Sequence, residues 1–268
     1  MSTLDSFFES VTLPSMSEVA HDLIRTLNDD SASVGTVRNI IAKDPALTAR
    51  LLRLANSAQF GLPRGVGTLD DAIAMVGMAR VRTLSVGTCL NDSFPALPGL
   101  DRNAFWGSCT ACAGYSQWLA EHLGIDSQLA WLTGLMLRLG EVLIAQREPA
   151  LLQTIEAQPS QPGSRWAREI QLLGFSEGQI TAELARRWNF PMQMVQALQR
   201  SADPTIEQAF SRLGAIIHLA ALLADMADAN AKSVELLPPE VLDALQLDFD
   251  WMQSSFPPAG SFTNVAQA

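Results

Sequence analysis

Histidine, cysteine and tyrosine are scarce in this chain, and the shortages narrow its chemistry. Of 268 residues, three are histidine, three cysteine and one tyrosine. His21, His122 and His218 lie in separate segments without ligand spacing, so a surface or satisfied interior role is expected for each rather than metal binding. Three cysteines make no disulfide framework. Cys109 and Cys112 form a C-x-x-C, but Cys89 is distant and no second pair exists for zinc. Both flanks of that motif read as helix, which favours small apolar packing over redox or metal work. A basic segment followed by an apolar run is missing at the start, and no long uncharged apolar span stands out; even LAALLADMADA is interrupted by Asp225. A cytoplasmic, reduced protein that does not enter a membrane is expected.

Positive charge is also in short supply. Eighteen basic against 28 acidic residues leave a formal net charge of −10, which disfavours nucleic acid as a partner, because binding it rests on phosphate neutralisation. The basic residues Lys43, Arg50, Arg53, Arg64, Arg80 and Arg82 fall at helical spacings that also carry leucines, with Asp44, Asp70 and Asp71 among them, and read as solvated surface. Arg186 and Arg187 read the same way. No G-x-S-x-G or G-x-x-x-x-G-K motif occurs, and Ser108, Ser176 and Ser201 have no histidine at useful sequence positions.

What the chain does have is apolar content, 48% against 17% charged, arranged with helical periodicity and no sustained strand-like alternation. An all-α fold follows. Ser15 is a candidate cap for a helix to about Asn28, and Ser33 for SVGTVRNIIAK. Asp44-Pro45 opens PALTARLLRLANSA, whose Leu47, Leu51, Leu54 and Ala58 define one buried face. Thr68 with Asp71 resembles a capping box, and Gly77 is a stop before MARVRTLSVGTCL. SFPALPGLD, at 93–101, is the candidate internal boundary. Further helices are expected near 102–122, 127–146, 149–157, 163–173, 176–188, 191–200, 205–229 and 239–248. The expected organisation is two closely packed helical lobes, 1–95 and 96–253, followed by a loose tail over 254–268.

Several stretches together resemble the HD-related output domain (HDOD) family, a bacterial signalling module related to the HD metal-dependent phosphohydrolases. They are IIAKDPALTARLLRLANSAQFG at 40–61, LDDAIAMVGMARVRTLSV at 69–86, FW at 105–106, GLMLRLG at 134–140, ELARRWNFP at 183–191 and DP at 203–204. The resemblance covers about residues 12–210, with Asp44, Pro45, Asn56, Ser57, Trp106, Trp188 and Pro191 among its motif residues. It implies an N-terminal helical bundle packed on a bundle of HD type.

HD phosphohydrolases hold a divalent metal with histidines and aspartates, and the ion generates the attacking hydroxide. Alignment to that pattern places the first histidine at Ser108 and the His-Asp pair at Leu137 and Arg138. A later histidine falls near Glu177, a histidine pair at Ser201 and Ala202, and a late aspartate near Ala221. None of these positions carries the implied ligand, so no metal, cofactor or catalytic residue is expected. The resemblance implies a non-enzymatic regulatory module that acts through contact with other signalling proteins; the sequence leaves its oligomeric state open. The alternatives are a phosphohydrolase with an unusual metal site and a sensor of a small anion in the vacated pocket.

Arg138 is the conspicuous residue. In the apolar stretch GLMLRLGEVL a buried guanidinium needs a partner. A pair with Glu177, or with Glu141 one helical step away, is one expectation; exposure at the bundle edge is the other. Asn56 is expected to tie the loop after its helix to the bundle, and Trp106 and Trp188 to pack in the core.

Overall fold

The computed structural model describes residues 4–57, 60, 65–94, 100–156, 161–205, 210–258 and 261–262. All its regular elements are helical, with no strand among the described residues. The first half carries α1 (Leu4–Glu9), α2 (Glu18–Leu27), α3 (Val34–Ile41), α4 (Pro45–Ala55), α5 (Leu69–Val76) and α6 (Met78–Ser93). Local chemistry sets the boundaries. Asp44 accepts from the Ala46 and Leu47 amides ahead of Pro45, and Thr68 accepts from the Asp71 amide. Gly77, at φ 92°, ends α5 and lets the chain turn by 116° into α6. The cap of α2 is Ser17 rather than Ser15, because Ser17 is the residue whose hydroxyl accepts from the Ala20 amide.

The second half carries α7 (Arg102–His122), α8 (Ser127–Met136), α9 (Leu139–Arg147), α10 (Pro149–Glu156), α11 (Ser164–Leu173), α12 (Glu177–Arg187), α13 (Met192–Gln199) and α14 (Arg212–Ala224). A 3-10 helix at Ala231–Leu236, α15 (Pro239–Leu245) and α16 (Phe249–Ser254) follow. α14 is shorter than the expected 205–229, because Ser211 caps it at one end and Asp225 closes it at the other. Residues 206–209 lie outside the described residues, as do Ala58, Arg64, and 95–99 at the expected boundary.

One buried cluster runs from Phe7 in α1 to Met252 in α16, and a small second one lies at Ala55, Val66 and Ala72. The halves meet where α6 crosses α8: a Cβ on Gly87 would come within 2.8 Å of Leu135 and 3.2 Å of Trp131. In the segment expected to be loose, over 254–268, Phe256 and Phe262 pack on Tyr115; just before it, Trp251 of α16 stacks on both Trp118 and His122. The stretch Ser127–Arg147 is long and apolar enough by composition to cross a membrane, and its most apolar window is 89% buried inside the protein.

Periodicity predicts one helix over that stretch, and the structure has two, broken at Leu137-Arg138. The cause is a side chain inserted into the backbone ladder. Thr181 of α12 donates to the Leu137 carbonyl at 2.8 Å and accepts from the Gly140 amide, also at 2.8 Å. Arg138 takes φ −82° and ψ 2°, and its carbonyl accepts from the Glu141 amide. Thr181→Val would leave a buried N–H and a buried C=O without partners, at an expected cost of about 1–3 kcal/mol, measured by denaturant unfolding.

Candidate functional site: a buried arginine–carboxylate cluster

The break turns Arg138 inward. Its guanidinium, only 6% exposed, donates to Glu141 at 2.7 Å and to Asp225 just beyond α14. A second buried guanidinium, Arg165 of α11, also bonds Glu141 and reaches Glu169 at 2.8 Å and Glu156 at 3.0 Å. Arg165 Nη2 lies 3.8 Å from Glu177. Glu177 in turn accepts from the Trp166 indole at 3.1 Å, and its own amide donates to Glu169 at 2.7 Å. Two arginines thus face five carboxylates: Glu141, Glu156, Glu169, Glu177 and Asp225.

These side chains gather because two glycines let the backbones approach. A Cβ on Gly140 would come within 2.9 Å of the Glu177 carbonyl carbon, which fixes α9 against the start of α12. A Cβ on Gly178 would come within 2.6 Å of the Leu198 carbonyl oxygen, which fixes α12 against α13.

The electrostatics follow from burial working against pairing. Burial pushes the Glu141 carboxyl up, but Arg165 and Arg138 outweigh it and hold Glu141 below the usual carboxylate range. Burial wins at Glu169 and Glu177, and both are raised, Glu177 strongly. Burial alone would lower both guanidinium pKa values; the surrounding carboxylates reverse this, and each stays charged. The C-x-x-C thiols are free and wholly buried on α7. Burial pushes Cys112 up to about 12 and holds Cys109 well above the ordinary thiol value, which disfavours the reactive thiolate at both.

The positions singled out in the sequence fall into three groups. Ser108 and Arg138 line a cleft of about 260 Å³, together with Phe105, Glu141, Glu156 and Arg165. Leu137, Glu177 and Ser201 meet in the α9–α12–α13 packing, where Ser201 is fully buried and its carbonyl is bonded to His218 Nδ1 at 2.8 Å. Ala202 faces a separate groove beside Ile170, and Ala221 is buried within α14. Among the described residues no hydrogen bond joins Arg138 directly to Glu177; Glu141 and Arg165 stand between them.

Away from the cluster, the Asn56 side chain donates to the Leu52 and Val66 carbonyls and accepts from the Val66 amide, clasping the loop to α4. Trp106 is buried edge-on to Phe105, Trp188 edge-on to Phe94, and Pro191 precedes α13. The Ser57 hydroxyl is buried without a hydrogen-bond partner among the described residues.

Sequence reasoning missed Arg165, Glu169, Thr181 and Asp225. The signal for the first two was an i, i+4 Arg–Glu pair flanking Trp166, with Leu173 one turn further on. The donor set does not suit the metal that the HD relationship implies. Of the aligned positions only Glu177 carries a carboxylate, the others being serine, leucine, arginine and alanine, and the neighbouring Glu141 and Glu169 are engaged by arginines. Among the described residues no group of three or more His, Cys, Asp or Glu is placed to hold an ion.

The architecture recurs in solved structures. A protein of Shewanella amazonensis named as a candidate phosphohydrolase superposes with TM-score 0.76 at 28% identity, covering 94% of this chain and 91% of that one. A candidate signal-transduction protein of Marinobacter aquaeolei gives 0.76 at 23% identity, covering 96% of this chain and 58% of that one. An HDOD domain protein of unknown function from Geobacter sulfurreducens gives 0.72 at 20% identity, covering 98% and 90%. An uncharacterized protein of Treponema pallidum is 26% identical over 192 residues, which is 70% of this chain but 37% of that relative, so the chain spans little more than a third of its length. The HDOD domain family model matches residues 13–204, and the chain therefore belongs to the HDOD family.

Proposed function

We propose that this chain is a non-enzymatic regulatory module that works in the cytoplasm by binding another signalling protein. The observation that carries this reading is the arginine–carboxylate cluster at the aligned metal position. Arg138 and Arg165 supply fixed positive charge there, and a guanidinium neither coordinates a metal nor generates hydroxide. Membership of a family of non-catalytic HD relatives supports it as well.

A phosphohydrolase reading is favoured by the name of the Shewanella relative, 28% identical to this chain. Assays on generic phosphodiesters and phosphomonoesters with added Mn²⁺, Mg²⁺ or Fe²⁺ separate the two. No turnover above buffer is expected, and metal-dependent turnover would overturn the non-enzymatic reading. Capture of partners from the native host, followed by mass spectrometry, would then identify the signalling protein.

An anion sensor in the cleft finds less support. The arginines lining it are held by carboxylates that outnumber them, so a nucleotide phosphate entering there meets net negative charge. Titration calorimetry with cyclic nucleotides, comparing the native protein with Arg138→Ala, is expected to show no heat of binding.

A further inference from the structure

Among the five carboxylates of the cluster, Glu177 is the least well served. Glu141 accepts from both arginines, and Glu169 accepts from Arg165 and from a backbone amide. Glu156 and Asp225 retain access to solvent. Glu177 is 1% exposed, and one of its oxygens accepts only the Trp166 indole N–H. Among the described residues no donor N–H reaches the other oxygen, with Arg165 Nη2 too distant at 3.8 Å.

The positive charges that act on Glu177 are those of Arg165 and Arg138. α7 contributes the Cys109 and Cys112 thiols, both neutral. α10 contributes Glu156, and α11 contributes Arg165 and Glu169. α9 and the residue before it contribute Glu141 and Arg138, and Asp225 follows α14. His218 of α14 tilts against Trp166, and its pKa is lowered by burial, so it is neutral at pH 7. Three interior carboxylates therefore face two interior guanidiniums. Glu141 and Glu177 both face the Arg165 guanidinium from inside the fold, and two ionised carboxylates at one buried site repel each other.

We propose that Glu177 holds a proton at neutral pH, so that the interior balances as two guanidiniums, two carboxylates and one neutral acid. The proposal goes beyond the regulatory reading and does not depend on it. One consequence is that prising α12 from α9 releases a proton, which makes any opening of this seam easier as pH rises. The sign follows from linkage. Burial, with Glu169 and Glu141 alongside, raises the folded-state pKa of Glu177 above its unfolded value, and Arg165 and Arg138 recover only part of the shift. The native state then binds the extra proton, and the stability it brings is lost as pH climbs from the ordinary Glu range towards the folded pKa.

Glu177→Gln tests this, because glutamine is neutral and of the same shape. The expected melting temperature lies within about 2 °C of the native value near pH 4, where the carboxyl is protonated in both states, and above the native value at pH 7. The variant should gain on the native protein as pH rises from the ordinary Glu range towards the folded pKa of Glu177. Infrared spectra of the native protein at pH 7 should show a protonated-carboxyl C=O band that is missing in Glu177→Gln. Absence of that band, with a Glu177→Gln loss as large as that of removing a buried ion-pair member, would overturn the proposal. If the variant does not fold, the infrared band of the native protein, present or absent at pH 7, decides alone.

Discussion

Arg165→Met should lower the stability of the fold by about 3–5 kcal/mol, the expected cost of breaking a buried charge network by removing one partner. Methionine fills similar space, so the loss is electrostatic. Glu141 keeps Arg138, but Glu169 loses its only guanidinium and keeps one backbone amide. For a chain of this size the melting temperature should fall by roughly 10 °C. Arg138→Met should cost less, because Arg165 still bonds Glu141 and Asp225 has access to water. Lowering the pH should narrow the Arg165→Met deficit, since a stranded carboxyl is easier to bury once protonated. Thermal unfolding of both variants at pH 7 and pH 5 checks the order and the sign.

The second large effect is expected at Gly140. Alanine is the better helix former by about 1 kcal/mol, so an unhindered Gly→Ala change stabilises. At Gly140 the new methyl would press on the backbone of Glu177, which is not free to swing aside, and α9 must lift off α12. That movement also stretches the bond from the Gly140 amide to Thr181. The expected outcome of Gly140→Ala is a net loss of about 1–3 kcal/mol. Gly107 provides the contrast. It lies inside α7, and a methyl added there would have nothing within 4 Å, so Gly107→Ala should stabilise by about 0.5–1 kcal/mol. Denaturant midpoints of the two variants should move in opposite directions.

The fold was largely legible because its helices carry their own start and stop signals. Arg102–His122 follows the expected 102–122, with Asp101 as its cap, and Asp44-Pro45 opens α4. The family was legible from motifs spread over most of the chain. The break at Leu137-Arg138 was not, because its cause, Thr181, lies 44 residues further along. Neither was the second arginine. An Arg–Glu pair at i, i+4 on an amphipathic helix usually lies against water, and only the three-dimensional closure of α11 on α9 and α12 shows that Arg165 and Glu169 point inward. Asp225 sits one helical turn beyond Ala221, so a position-by-position reading passes over it.

If guanidiniums occupy the place of the family's metal ion, added metal should leave the stability of the protein unchanged. An ion that binds the folded state raises the melting temperature in proportion to its occupancy. The native protein, stripped with a chelator and then given Mn²⁺, Fe²⁺, Mg²⁺ or Zn²⁺ in turn, should melt at the same temperature throughout. A rise of several degrees with any one ion, reversed by the chelator and abolished by Glu141→Gln or Glu177→Gln, would contradict the account.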